Sequence, residues 1–137
     1  MLPVLAALVF VGLIFVALWL HSRSNVRLAH QHMAGREALP AAQFGRRFFP
    51  ERQASVAGRL RELLAAETAV QLERLHPDDR PVQDLKIDEL DSLAIAEFVI
   101  AVEKEYGITL ADADMVRVRT FRDVVELVCR EIDARTA

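Results

Sequence analysis

Apolar residues follow two different patterns along this chain. From Leu2 to Leu20 no side chain is charged, and thirteen of the nineteen residues are Leu, Val, Phe or Ile. As a helix this run measures about 28 Å, close to the ~30 Å hydrocarbon core of a bilayer. At ~0.3–0.6 kcal/mol per apolar residue, its insertion is favoured by roughly 4–8 kcal/mol. Past residue 50 the apolar positions become periodic instead. Val56, Leu60, Leu63 and Leu64 share one helix face after Pro50. Ile95, Val99, Val102 and Tyr106 mark the inner face of a second helix, about Ser92 to Tyr106, with Gly107 as its stop. Asp112 to Val116 predicts a short third helix. Thr120, with Asp123 three residues on, opens a last helix whose Val124, Leu127 and Val128 turn inward. A strand pattern is confined to the brief Gly107–Leu110 segment. The pattern predicts an all-α protein: a single N-terminal transmembrane helix (residues 1–20), then a four-helix bundle (residues 51–137).

Charge divides the chain in a related way. Residues 21–50 carry five arginines (Arg23, Arg27, Arg36, Arg46, Arg47) against Glu37, a net +4. Residues 51–137 carry twelve bases and nineteen acids, a net −7. The first segment reads as a basic juxtamembrane linker drawn to anionic lipid, and the second as an acidic domain repelled by it. As a flexible chain the linker spans roughly 30 Å. Within it, the Phe44–Phe49 run suits either the bilayer surface or packing on the domain. Nothing basic precedes the apolar run, whereas Arg23 and Arg27 follow it. The positive-inside rule then expects a single-pass plasma (inner) membrane protein, N-terminus out and domain in the cytoplasm. The run is too long for a signal peptide, and no small-residue cleavage site follows it. No nucleic-acid partner is expected.

The acids concentrate around one motif. From Asp78 to Asp114 there are eleven acids and three bases, a net −8. Inside this stretch Asp91-Ser92-Leu93 opens the second predicted helix. No nearby histidine could take the Ser92 proton, so the serine is a poor nucleophile. A helix N-terminus does favour a phosphate. The alternative for Ser92 is a plain N-cap.

Residues from about Pro77 to Val128 resemble the acyl carrier protein family. The run DSLAIAEFVIAVEKEYGITL carries the likeness, followed by the short acidic segment and the Thr120-Phe121-Arg122-Asp123 opening of the last helix. Glu89 stands where the family usually has glycine, and the spacing ahead of the motif is slightly longer. The resemblance implies an acyl-carrier-like four-helix fold with 4′-phosphopantetheine attached covalently to Ser92, flanked by Asp91 and Leu93. It implies a phosphopantetheinyl transferase and acyl-loading and acyl-using enzymes as partners. Their basic patches would meet Asp91, Glu97, Glu103 and Glu105. The domain would present an acyl thioester and catalyse nothing. The rival reading is a carrier-fold module without the arm, recruiting a partner to the membrane.

Other candidate chemistry is weak. His30 and His32 have no carboxylate or thiol fixed beside them in sequence, so they read as solvated interfacial residues and no metal site is expected. Asp78/Asp79 and Glu103/Glu105 could suggest acid–base work, but read as a solvated acidic face. Cys129, the single cysteine, reads as a buried thiol.

Overall fold

The computed structural model describes residues 1–87 and 93–136. Six helices follow in order: α1 (Leu2–His32), α2 (Ala41–Phe48), α3 (Glu51–Ala65), α4 (Leu93–Tyr106), α5 (Asp112–Met115) and α6 (Phe121–Thr136). No strand occurs among the described residues. Helices α3 to α6 are the expected bundle.

Local sequence rules account for the ends of these elements. Gly107 takes φ +61° just past α4, a conformation that costs glycine little. At the start of α6 the Asp123 amide donates to the Thr120 hydroxyl at 3.2 Å. The Thr120 amide donates back to the Asp123 carboxylate at 3.0 Å. This reciprocal capping box satisfies two amides that the helix geometry leaves without partners. Leu60, Leu64, Val102, Val124, Leu127 and Val128 are buried, while Val56, Leu63, Ile95, Val99 and Tyr106 pack at the core's edge. Phe98 and Ala94 are the deeply buried α4 residues alongside Val102, so the inner face of α4 is rotated slightly from the expected one. Cys129 is buried, and burial pushes its thiol pKa up.

The largest departure from expectation lies in residues 21–50. They are not a flexible connector. α1 runs unbroken past the apolar segment to His32, and its last turns dock on the bundle through Asn25, Ala29 and Met33. These fall at i, i+4 and i+8, one face of a helix. Gly35, at φ +83°, then turns the chain. α2 folds back against α3 as a tight antiparallel pair. A Cβ on Gly45 would fall 2.0 Å from the Ala54 carbonyl oxygen, and one on Gly58 2.6 Å from that of Ala41. Only glycine permits this approach, which a substitution at either position would force apart. It seats Phe44 at the centre of the core, with Phe121 5.8 Å and Phe49 5.9 Å away, ring centre to ring centre. The Phe44–Phe49 run packs on the domain, with Phe44 and Phe49 buried in its core.

An arginine of α3 helps to hold this segment in place. Arg61 is buried yet donates to the Leu39 carbonyl at 2.6 Å and lies 4.9 Å from the Phe44 ring centre. A guanidinium that stacks and donates at once can be buried where an ammonium would not.

Candidate functional site

α4 positions the candidate site. Asp91 and Ser92 lie outside the described residues; Leu93 is the first residue of α4 and is exposed. α4 is 14 residues long, and its first turn holds no acid. No acid there opposes an anion placed ahead of the helix, which the macrodipole favours.

Beside this turn is a cavity of about 380 Å³ between α3, α4, α5, α6 and the loop at residues 80–83. Leu64, Ile95, Phe98, Met115, Val118 and Phe121 form its apolar lining. Ile95 belongs to the first turn of α4, so the cavity begins next to the motif. An apolar chain entering it would gain about 0.8 kcal/mol per buried CH₂. Phosphate-favouring amides at the helix start and an apolar hollow beside it suit a phosphate-linked arm that bears an acyl group.

The acids expected to form one docking face do different things. Glu97 is exposed. Glu103 is half-buried, and its carboxylate accepts the Leu110 amide at 2.8 Å. It was expected to be exposed; instead it holds the loop after α4. Glu105 accepts two hydrogen bonds from Arg59, at 2.7 and 2.9 Å. Those bonds hold its pKa below the ordinary value. On the Glu97 face stand two exposed apolar residues, Leu93 and Ile100, and Val116 projects from the end of α5. Ile100 and Val116 were not foreseen. Ile100 was findable, since it follows Leu93 and Glu97 at helical spacing.

Asp79 overturns the expectation of a solvated Asp78/Asp79 pair. It is 3% exposed. Arg36 donates to it at 2.6 and 3.0 Å, the His76 amide at 2.9 Å, and His32 Nε2 lies 3.0 Å away. Burial pushes its pKa up, but the bonds from Arg36, His76 and His32 outweigh burial and hold it below the ordinary value. Its backbone carbonyl accepts the Phe121 amide at 2.9 Å. One residue thus ties the end of α1 to the start of α6. His30 is also engaged: its Nε2 accepts the Gln71 amide at 3.0 Å. The reading of both histidines as solvated is corrected, because the end of α1 is packed against protein. Asp84 comes within 4.8 Å of His32 and Asp79. Arg36 and Arg80 already neutralise the two carboxylates, so the cluster is an ion-pair network.

The −8 balance is therefore smaller in space than in sequence. Asp78 pairs with Arg122, Asp79 with Arg36, Glu105 with Arg59, and Asp114 approaches Arg130. All four arginines lie outside the acidic stretch.

A helical bundle with an apolar hollow beside the first turn of α4, the helix that follows Ser92 in sequence, fits a carrier domain. The family model described as "Phosphopantetheine attachment site" matches residues 58–128, more than half of the 137-residue chain. The chain belongs to this family, as a carrier domain of the acyl carrier protein kind. It is 28% identical over 74 residues to the acyl carrier protein of Solidesulfovibrio magneticus, covering 54% of this chain and 91% of the relative. It is 26% identical over 82 residues to that of Thermosynechococcus vestitus, covering 60% of this chain and 98% of the relative. To that of Rickettsia canadensis it is 37% identical over 51 residues, or 37% of this chain and 56% of the relative. The cofactor of this family is covalently attached 4′-phosphopantetheine. The family match begins at residue 58, so α1 and α2 lie outside it.

Proposed function

We propose that this chain is a membrane-anchored acyl carrier protein that holds 4′-phosphopantetheine on Ser92 and presents the acyl group to partner enzymes. The observation that carries this reading is the apolar cavity beside the first turn of α4, directly after Asp91-Ser92-Leu93 and inside the family match. A transferase moves the arm from coenzyme A to the Ser92 hydroxyl. When attached, the arm supplies a terminal thiol that holds the acyl group as a thioester. The chain's own residues do the rest. The α4 amides hold the phosphate, the cavity shelters the acyl chain from water, and Leu93, Glu97 and Ile100 meet the partner. The chain itself catalyses nothing. Loading of the full-length protein, read as a gain in intact mass, tests this reading.

Membrane anchoring rests on α1. Every residue from Leu2 to Leu20 is exposed in the fold, a long apolar surface with no protein to cover it. Arg23 and Arg27 put the domain on the cytoplasmic side. The last turns of α1 pack against the bundle, so the domain sits at the membrane surface without a loose tether. Ser22 and Asn25 share a cavity wall with Ala94 of α4, which supports an arm rooted at Ser92 close to the anchoring helix. The expected partners therefore act at the membrane. A reporter enzyme fused after Thr136 and active only in the cytoplasm should be active; activity only for a periplasmic reporter reverses the topology.

Glu97 is the clean probe of docking because it is exposed and has no ion pair among the described residues, whereas Glu103 accepts the Leu110 amide and Glu105 pairs with Arg59. An exposed pair is worth about 0.2–1 kcal/mol. Glu97→Lys should lower kcat/KM for modification by a phosphopantetheinyl transferase by up to about tenfold at low salt. The deficit should shrink at high salt, where screening removes the steering. Equal rates at both ionic strengths would leave Glu97 as plain solvated surface.

A further inference from the structure

Asn25 is on the docked face of α1 and only 8% exposed, yet its side-chain amide nitrogen has no hydrogen-bond partner among the described residues. An unpaired buried amide is destabilising, and native structures hold few of them. Asn25 lines a cavity of about 200 Å³ between α1 and the bundle. Its other walls include Ser22 and Val26 of α1, Thr68 beyond α3, Lys86 ahead of α4, and Ala94 in the first turn of α4. The cavity thus has polar groups on its walls, an orphaned donor, and a wall residue two positions from Ser92.

We infer that this cavity is a docking site for the amide-bearing part of the prosthetic arm, with Asn25 Nδ2 donating to a carbonyl oxygen of the arm. The inference rests on attachment at Ser92. The arm carries secondary amides between its phosphate and its thiol, so it offers the acceptors that Asn25 lacks. Attachment two residues from Ala94 makes docking intramolecular, with an effective concentration in the millimolar range. Little intrinsic affinity is then needed. α1 lies outside the family match, so the site is an addition of this chain to the carrier bundle. Its consequence is that the unloaded arm is held beside the juxtamembrane helix instead of sampling solution.

The test compares apo and fully modified full-length protein in lipid nanodiscs, with intact mass checked first. In the modified protein the Asn25 side-chain ¹⁵N–¹H signals, assigned by their loss in Asn25→Ala, should shift and exchange more slowly with water. Alkylation of the arm thiol by a maleimide, with the apo protein as background for Cys129, should be roughly three- to tenfold faster in Asn25→Ala. Asn25→Asp, which replaces the donor by an acceptor, should speed it similarly and serves if the alanine variant folds poorly. A full mass gain with unshifted Asn25 signals and equal alkylation rates overturns the inference alone, and water is then what fills the cavity. No mass gain in wild type overturns the Ser92 reading and this inference with it.

Discussion

Ser92→Ala should abolish the gain in intact mass that the wild-type protein shows after incubation with coenzyme A and a phosphopantetheinyl transferase. On the proposed attachment at Ser92 the effect is all or none, because that single hydroxyl would accept the arm. Ser92 is the hydroxyl that directly precedes α4, and the first turn of α4 carries no acid to oppose a phosphate there. Its neighbours suit the product. Leu93 is exposed for a partner to contact, and Ile95 opens the apolar cavity where an acyl chain can leave water. Other hydroxyls are placed for other work: that of Thr120 caps α6, and that of Thr136 donates to carbonyls of its own helix. The alanine should cost the fold at most the value of an N-cap, typically about 1 kcal/mol, so a folded protein is expected for comparison. An undiminished gain in Ser92→Ala would place the arm elsewhere. No gain in wild type would favour the rival, a carrier-fold module that recruits its partner without an arm.

Asp79→Asn should loosen the attachment of α1 to the bundle and lower stability by about 2–4 kcal/mol. That is somewhat below the 3–5 kcal/mol of a fully buried pair, because Arg36 and His32 are about one-third exposed and partly screened. The carboxylate is the shared partner of Arg36, His32 and the His76 amide, and the amide substitution leaves them facing a neutral group. The pH dependence has a definite sign. The folded-state pKa of Asp79 is depressed, so its stabilisation is present above the unfolded value of about 3.9 and is lost as pH falls through the folded value. The stability gap between wild type and variant should therefore be full near neutrality and close only in strong acid. Thermal unfolding of the full-length proteins in nanodiscs across this pH range is the measurement. Superimposable curves near neutrality would mean that Asp79 does not clamp the helix.

Much of the fold is legible in the sequence itself. Each bundle helix was readable because its signals are local. Pro50 precedes α3, Gly107 closes α4, and Thr120 with Asp123 opens α6. The long apolar helix was equally plain, because nineteen residues from Leu2 to Leu20 carry no charge. The candidate attachment residue was also readable, since a three-residue motif at a helix start requires no tertiary information.

Tertiary structure decided the rest, chiefly the fate of polar groups. Five arginines within thirty residues look solvated when only sequence neighbours are counted. In space, Arg36 reaches Asp79 across 43 positions, and Arg59 reaches Glu105 across 46. Glu103 is engaged for a nearer reason, the Leu110 amide seven residues away. Phe44 became the centre of the core because Gly45 and Gly58 let α2 approach α3 to backbone contact. That requirement appears in sequence only as two scattered glycines. Amphipathic period and caps are fixed by the few residues on either side, so the sequence alone determined the helices, the long apolar run and the motif. Burial of a charge depends on which distant partner can satisfy it. The fold therefore decided that residues 21–50 pack on the carrier domain, and that the first turn of α4 shares a cavity with the end of α1.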